Sequence, residues 1–308
     1  MAPCGYRWIY LDCVSDDGLT TLVVIVMLGN VFSPRYRAAR LALGAGATPL
    51  SYSTFHVALG GAHSRFALTE TDAVERSPSR LQVGASSLSY EDGLLTATID
   101  ERTAFGRRVV GRIRIELDGL LSNEVVLDEH GHHRWTPLAP SARAHVELDT
   151  PAVRFSGHAY LDANEGDEAL EQGFSQWSWA RFVDPEGQAT ILYDTTERHG
   201  VVTERTFRVG PTGLELQPGD ALRSVELPKT IFRLAPSLRV DPGSPVQVES
   251  MHDAPFYARA LVRGHAFGRP VTGVHEWLDL RRFENPWVQR MIPYRMRNGF
   301  PRRGEPRC

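Results

Sequence analysis

The sequence predicts an all-β fold, built as barrels or sandwiches. Dense turn signals are the first reason. Ser15-Asp16-Asp17-Gly18, Glu91-Asp92-Gly93, Asp184-Pro185-Glu186-Gly187 and Gly210-Pro211-Thr212-Gly213 each sit between β-prone runs, the pattern of hairpins in an antiparallel sheet. Alternation is the second. Arg112-Ile113-Arg114-Ile115-Glu116-Leu117 puts apolar side chains on one face and charged ones on the other. The third is the scarcity of helical pattern. Only Pro34 to Leu43 reads as a helix, with Ser33 as N-cap and Pro34 at the first position. Without βαβ alternation, Gly44-Ala45-Gly46 is no dinucleotide fingerprint.

In chain order, strands are expected at Arg7–Leu11, Thr21–Leu28, Phe66–Thr69, Leu94–Ile99, Val109–Glu116, Ala144–Leu148, Ala152–Tyr160, Ala189–Asp194 and Thr203–Val209. An acidic, polar stretch, Asp162 to Gly173, interrupts the series, and the strand pattern restarts at Phe174. This places a domain boundary near 168, dividing the chain into 1–168 and 169–308.

Composition narrows the function. The 308 residues are 42% hydrophobic and 23% charged, enough apolar content for full cores. A formal charge of −3 excludes the basic footprint of a nucleic-acid binder. Lys229 is the only lysine among many arginines, which fits biased codon usage. Three cysteines, Cys4, Cys13 and Cys308, make no disulfide framework and point to a reducing compartment. No signal peptide is expected, since Asp12, Asp16 and Asp17 interrupt the early sequence. The longest aliphatic run, Leu22 to Leu28, falls far short of the ~20 residues of a spanning helix. A protein in solution or attached to a membrane surface is therefore expected.

Two short segments carry candidate chemistry. In Phe155-Ser156-Gly157-His158-Ala159-Tyr160-Leu161-Asp162, strand alternation places Ser156, His158, Tyr160 and Asp162 on one face. A phenol then neighbours a carboxylate, with an imidazole one step away. The polar outer face of an edge strand has the same spacing. In His132-His133-Arg134-Trp135-Thr136-Pro137, His133 and Trp135 share a face, as would a hairpin rim followed by a core tryptophan. Asp128, Glu129, His130 and His132 have ligand-type side chains. They surround the turn at Gly131 and share no face, so no metal site is assigned.

These segments belong to a longer series. It includes Gly5-Tyr6-Arg7-Trp8 through Val14-Ser15-Asp16-Asp17-Gly18, and Gly29-Asn30-Val31-Phe32-Ser33-Pro34. It continues with His133-Arg134-Trp135, Ser156-Gly157-His158-Ala159-Tyr160-Leu161-Asp162 and Gly166-Asp167-Glu168. Asp253-Ala254-Pro255-Phe256-Tyr257-Ala258-Arg259, Val274-His275-Glu276 and Pro286-Trp287-Val288-Gln289 complete it. In this order the motifs resemble the carotenoid 1,2-hydratases, also called hydroxyneurosporene synthases, over nearly the whole chain.

The resemblance implies a lipocalin-like all-β architecture in two parts, the first carrying the catalytic residues. It implies cofactor-independent addition of water to the terminal double bond of an acyclic carotenoid such as neurosporene or lycopene. The family's His-x-Trp and Tyr-x-Asp pairs fall on His133 and Trp135, and on Tyr160 and Asp162. Hydrating an alkene requires protonation to a tertiary carbocation, then water capture. Asp162 is the expected acid, its proton retained by desolvation. Trp135 and Tyr160 offer aromatic faces to the cation, and His133 is the expected base for water, with His158 as competitor. Each pair is spaced by two and is expected to present neighbouring side chains to one interior.

The substrate implies peripheral association with the cytoplasmic side of a bacterial membrane. Trp287, Met291, Ile292, Tyr294, Met296 and Phe300, interleaved with Arg290, Arg295, Arg297, Arg302 and Arg303, form the candidate contact. A strand and tail packed on the barrel fits the same residues. Two other readings stay open: a lipocalin-like carrier of apolar ligands, and another cofactor-free terpenoid or polyketide cyclase.

Overall fold

The computed structural model describes residues 2–210 and 213–298. Pro211, Thr212, Phe300, Arg302, Arg303 and Cys308 lie outside the described residues. The chain divides into two units. Residues 2–126, 132–169 and 290–298 fall in the first, and 127–131 and 170–289 in the second. A single division at 168 would leave each unit continuous. Here the last described strand, Arg297–Asn298, pairs in parallel with a strand of the first unit.

In the first unit the strands are β1 (Tyr6–Ser15), β2 (Thr21–Leu28), β3 (Ser53–Gly60), β4 (Arg65–Thr71), β5 (Val74–Ser77) and β6 (Arg80–Val83). They continue as β7 (Ser86–Glu91), β8 (Leu94–Arg102), β9 (Arg108–Glu116), β10 (Val125–Val126), β11 (His133–Thr150) and β12 (Ala152–Gly166). They form one sheet in the order Arg297–Asn298, β4, β3, β2, β1, β12, β11, β9, β8, β7, β6, β5, with β10 paired to β11. The predicted strands are all present, most of them longer than expected. In β2, seven of eight residues are buried, so both faces are covered and polarity does not alternate.

One face of this sheet carries the aliphatic core, including Leu11, Val24, Phe55, Val57, Ile113, Val146 and Leu161. The sheet curls until β4 meets the end of β8. Ala67 and Thr103 form an isolated bridge there, and the buried Glu101 joins three strands. Thr69 Oγ1 of β4 and Ser86 Oγ of β7 donate to its carboxylate at 2.5 and 2.7 Å. The result is a nearly closed barrel, which removes most exposed edge.

Local sequence accounts for the connections. Asp92 and Gly93 have φ of 50° and 79° and join paired Glu91 and Leu94, the two-residue hairpin loop that favours Asp-Gly. The helix α1 spans Pro34–Leu43 as predicted, and Ser33 Oγ accepts from the Tyr36 amide at 3.2 Å.

The second unit contains β13 (Phe174–Val183), β14 (Ala189–Glu197), β15 (Val202–Gly210), β16 (Gly213–Leu216), β17 (Arg223–Glu226), β18 (Ser237–Val240), β19 (Gln247–Ala254), β20 (Tyr257–Ala266) and β21 (Arg269–Asp279). An antiparallel sheet runs β16, β15, β14, β13, β21, β20, β19, and β17 pairs separately with β18. Its core includes Phe182, Leu192, Leu238, Val240 and Val262. The all-β class and the scarcity of helix are as expected. No described helix is long and apolar enough to cross a membrane. Cys4 and Cys13 are free thiols.

Burial raises the Glu101 pKa above its usual value, against the pull of Thr69, Ser86 and the Arg297 charge. The folded state therefore holds this proton more tightly than the unfolded chain does. Its contribution is fully present below the unfolded pKa and is lost as pH rises through the folded one. Glu101→Gln keeps an acceptor and carries no charge. Urea midpoints should shift in favour of the variant as pH rises from about 4 to about 8; parallel profiles would contradict this account.

Candidate active site

Period two on β12 sets the site's geometry. Ala159 and Leu161 turn to the aliphatic core, and His158, Tyr160, Asp162 and Asn164 turn to the opposite face. Neighbouring strands extend that face, because directly opposed residues share a side. On β1, Trp8 opposes Asn164, Tyr10 opposes Asp162 and Asp12 opposes Tyr160. On β11, Trp135 opposes Asn164, and His133 opposes Gly166.

The four predicted residues thus come together on one face, but not in the barrel's interior. Aliphatic side chains occupy that interior, and the polar set lies on the other side of the sheet. It is buried nonetheless: His133, Trp135 and Tyr160 are 0% exposed and Asp162 is 3% exposed. Alternation specifies that two sets of side chains differ, and which set faces a core depends on what covers each.

Asp162 is the hub. Trp135 Nε1 and Tyr160 OH both donate to its Oδ2, each at 2.7 Å. A break in the ladder helps the tryptophan reach. The β11–β12 register shifts between Thr136 and Ala139, and again between Ala139 and Ala142. Pro137 and Pro140 lie there and supply no N–H, and such bulges re-aim nearby side chains. Tyr10 meets the Tyr160 ring edge-on at 6.1 Å.

His133 is held at both ring nitrogens. Nδ1 lies 2.8 Å from Tyr6 OH, and Nε2 lies 3.2 Å from Glu168 Oε1. With Glu168 as carboxylate, Nε2–H donates to it and Nδ1 accepts from Tyr6. Both nitrogens are then engaged, which leaves neither for water. The tyrosine also stacks on Trp8 at 4.9 Å. Gly166 makes this packing possible. A Cβ there would lie 2.6 Å from the Tyr6 ring and 2.8 Å from His133 Nδ1.

Other candidates go elsewhere. His158 is half-buried and lies near Asp16, which Arg143 grips at 2.6 and 2.8 Å. His132 Nδ1 pairs with Asp167 at 2.7 Å, and Glu129 lies 3.4 Å from His199. Among the described residues, no group of three or more His, Cys, Asp or Glu side chains is placed to hold a metal ion.

Comparison with known proteins now decides the family. The model described as carotenoid hydratase CrtC matches residues 24–307. The chain belongs to the CrtC carotenoid hydratase family. Among family relatives, the acyclic carotenoid 1,2-hydratase of Thiocapsa roseopersicina is 42% identical over 302 residues, covering 96% of this chain and 74% of that protein. The Rubrivivax gelatinosus enzyme of the same name is 38% identical, covering 96% and 73%. That of Cereibacter sphaeroides is 37% identical over 280 residues, covering 89% and 97%. Two solved structures share the fold alone. A putative AttH from Nitrosomonas europaea has a TM-score of 0.60 at 10% identity, covering 90% of this chain and 92% of that one. Kievitone hydratase from Nectria haematococca has a TM-score of 0.58 at 12% identity, covering 90% and 89%.

Sequence reasoning missed Tyr6, Tyr10, Asp12 and Glu168. A signal for the first three existed. Tyr6, Trp8, Tyr10 and Asp12 alternate along β1, an aromatic face ending in a carboxylate. Strand alternation could not reveal Glu168, which lies beyond β12 and stood only among the family motifs.

In this carotenoid hydratase family member, Gly166→Ala should displace Tyr6 or His133 and leave the rest of the sheet intact. The expected result is a loss of turnover of at least about tenfold, with unchanged far-ultraviolet circular dichroism. Turnover equal to the parent's would show that the Tyr6–His133 contact is dispensable.

Proposed function

We propose that this protein adds water across the terminal double bond of acyclic carotenoids such as neurosporene or lycopene, without a cofactor. Membership of the carotenoid hydratase family supports the reaction class, and the buried Asp162 carboxyl bound by Trp135 and Tyr160 is the observation that carries the mechanism.

A trisubstituted alkene is a weak base, so protonation needs an acid fixed against the reacting carbon. Two donors hold Oδ2, which leaves the transferable proton on Oδ1 and sets its direction. Protonation at the less substituted carbon gives the tertiary cation. The faces of Trp135 and Tyr160 stabilise it electrostatically and contain no strong nucleophile to trap it. Water then bonds to the cationic carbon and loses a proton. In this reading His133, engaged at both nitrogens, orients its neighbour Trp135 and the strand end rather than holding that water.

The substrate lives in lipid, so the protein works at the cytoplasmic surface of a bacterial membrane. Tyr294 is 81% exposed, which suits an interfacial contact. Truncation after it would also remove the Arg297–Asn298 strand from β4. Tyr294→Glu is the cleaner variant, and it should reduce recovery with anionic vesicles in flotation. Equal recovery would remove this contact from the proposal.

The central experiment incubates purified protein with lycopene or neurosporene, beside Asp162→Asn. The parent should yield product heavier by one water, and the variant none. Product from both would remove Asp162 as the acid. Tight binding without conversion would mark a carrier, and an isomeric cyclic product a cyclase.

A further inference from the structure

A short repeat in the chain acquires meaning only when folded. Tyr-Leu-Asp occurs twice, as Tyr10-Leu11-Asp12 and Tyr160-Leu161-Asp162. The two copies pair with each other, antiparallel and in register: Tyr10 with Asp162, Leu11 with Leu161, Asp12 with Tyr160. A local two-fold relation follows, with each tyrosine opposite the other copy's aspartate. Both leucines enter the aliphatic core. Both tyrosines and both aspartates share the catalytic face, and Asp12 is 0% exposed.

The burial of Asp12 calls for a reason. Its neighbour across the other edge of β1, on the same face, is Val23. A carboxyl group placed there carries a desolvation cost that an apolar residue avoids. Opposed residues in a sheet have Cβ atoms about 4.5–5.5 Å apart, and diagonal ones only about 2–3 Å more. Asp12 is thus directly opposite Tyr160 and diagonal to Asp162. Alkene hydration needs a donor for the carbon-bound proton and an acceptor for the water proton, two carboxyls on one face can divide those roles, and His133 has both nitrogens engaged.

We propose that Asp12 is the second catalytic carboxylate, the base that orients the attacking water and accepts its proton. This rests on the hydratase reading above. Asp162 gives its proton to the less substituted alkene carbon, forming a C–H bond and leaving the tertiary cation. The water oxygen bonds to that cation and its proton passes to Asp12. Tyr160 then resets the pair. Its hydroxyl already donates to Asp162 Oδ2 at 2.7 Å, so it gives that proton to Oδ2 and receives the one from Asp12, and a half-turn of the Asp162 carboxyl returns the proton to the alkene side. One water is consumed, and both carboxyls return to their starting states.

The two carboxyls act on different steps, and isotope exchange separates them. Full-length protein is incubated with lycopene in deuterium oxide, and both product and recovered lycopene are examined by mass spectrometry. Asp162→Asn should abolish hydration and exchange together. Asp12→Asn should lower hydration at least about 100-fold while lycopene still gains deuterium, because the cation forms and collapses back to alkene. Formate added to Asp12→Ala should restore part of the hydration. Hydration near the parent rate in Asp12→Asn would overturn the proposal. So would joint loss of hydration and exchange in a folded Asp12→Asn that formate does not rescue in Asp12→Ala. A parent that neither hydrates nor exchanges lycopene would instead remove the hydratase reading itself.

Discussion

A carboxyl group with almost no contact with solvent must find donors within the protein, and Asp162 finds two on its own sheet. Tyr160 is supplied by period two on the same strand. Trp135 is supplied by the neighbouring strand, at the place where prolines interrupt the ladder. Loss of either donor would leave part of a buried carboxyl unsatisfied, at a cost of about 1–3 kcal/mol. The orientation of Trp135, the breaks in β11 and the packing of Tyr160 against Tyr10 all serve that one oxygen. A second tier holds the first: Tyr6 and Glu168 grip His133, and Gly166 gives them room.

Around β1, β2 and the end of β12 the sheet has two buried faces with different work. One supplies the aliphatic core that stabilises the barrel. The other carries phenol, indole, imidazole and carboxyl groups that satisfy one another by hydrogen bonds. Separating them across a single layer of backbone lets the first unit remain stable while its candidate-site face stays polar. Rigid strands also suit the acid role proposed for Asp162, because a misplaced proton donor loses rate steeply.

Much of this was legible in the chain. Asp-Gly and Pro-rich turns marked the hairpins, and α1 was readable from Ser33 and Pro34 because caps are local chemistry. Tyr160 and Asp162 were placeable on one face by counting residues. β3, β5 to β7 and β17 to β21 were missed. In β3 every residue is buried, so no alternation reveals it, and β5, β6, β17 and β18 are only four residues long. His133 was legible as a candidate, but its engagement at both nitrogens depends on Tyr6, 127 positions away.

By itself, the sequence determined the all-β class, the hairpins, the helix cap, the family motifs and the two spaced pairs. Each of these depends on residues close together in the chain, or on their order. Tertiary structure decided which face of the sheet became the core and which the candidate site. It also decided that the last described strand joins the first unit, and that two distant Tyr-Leu-Asp segments lie in register. Those outcomes depend on strand order and pairing, which arise from long-range contacts that no local pattern encodes.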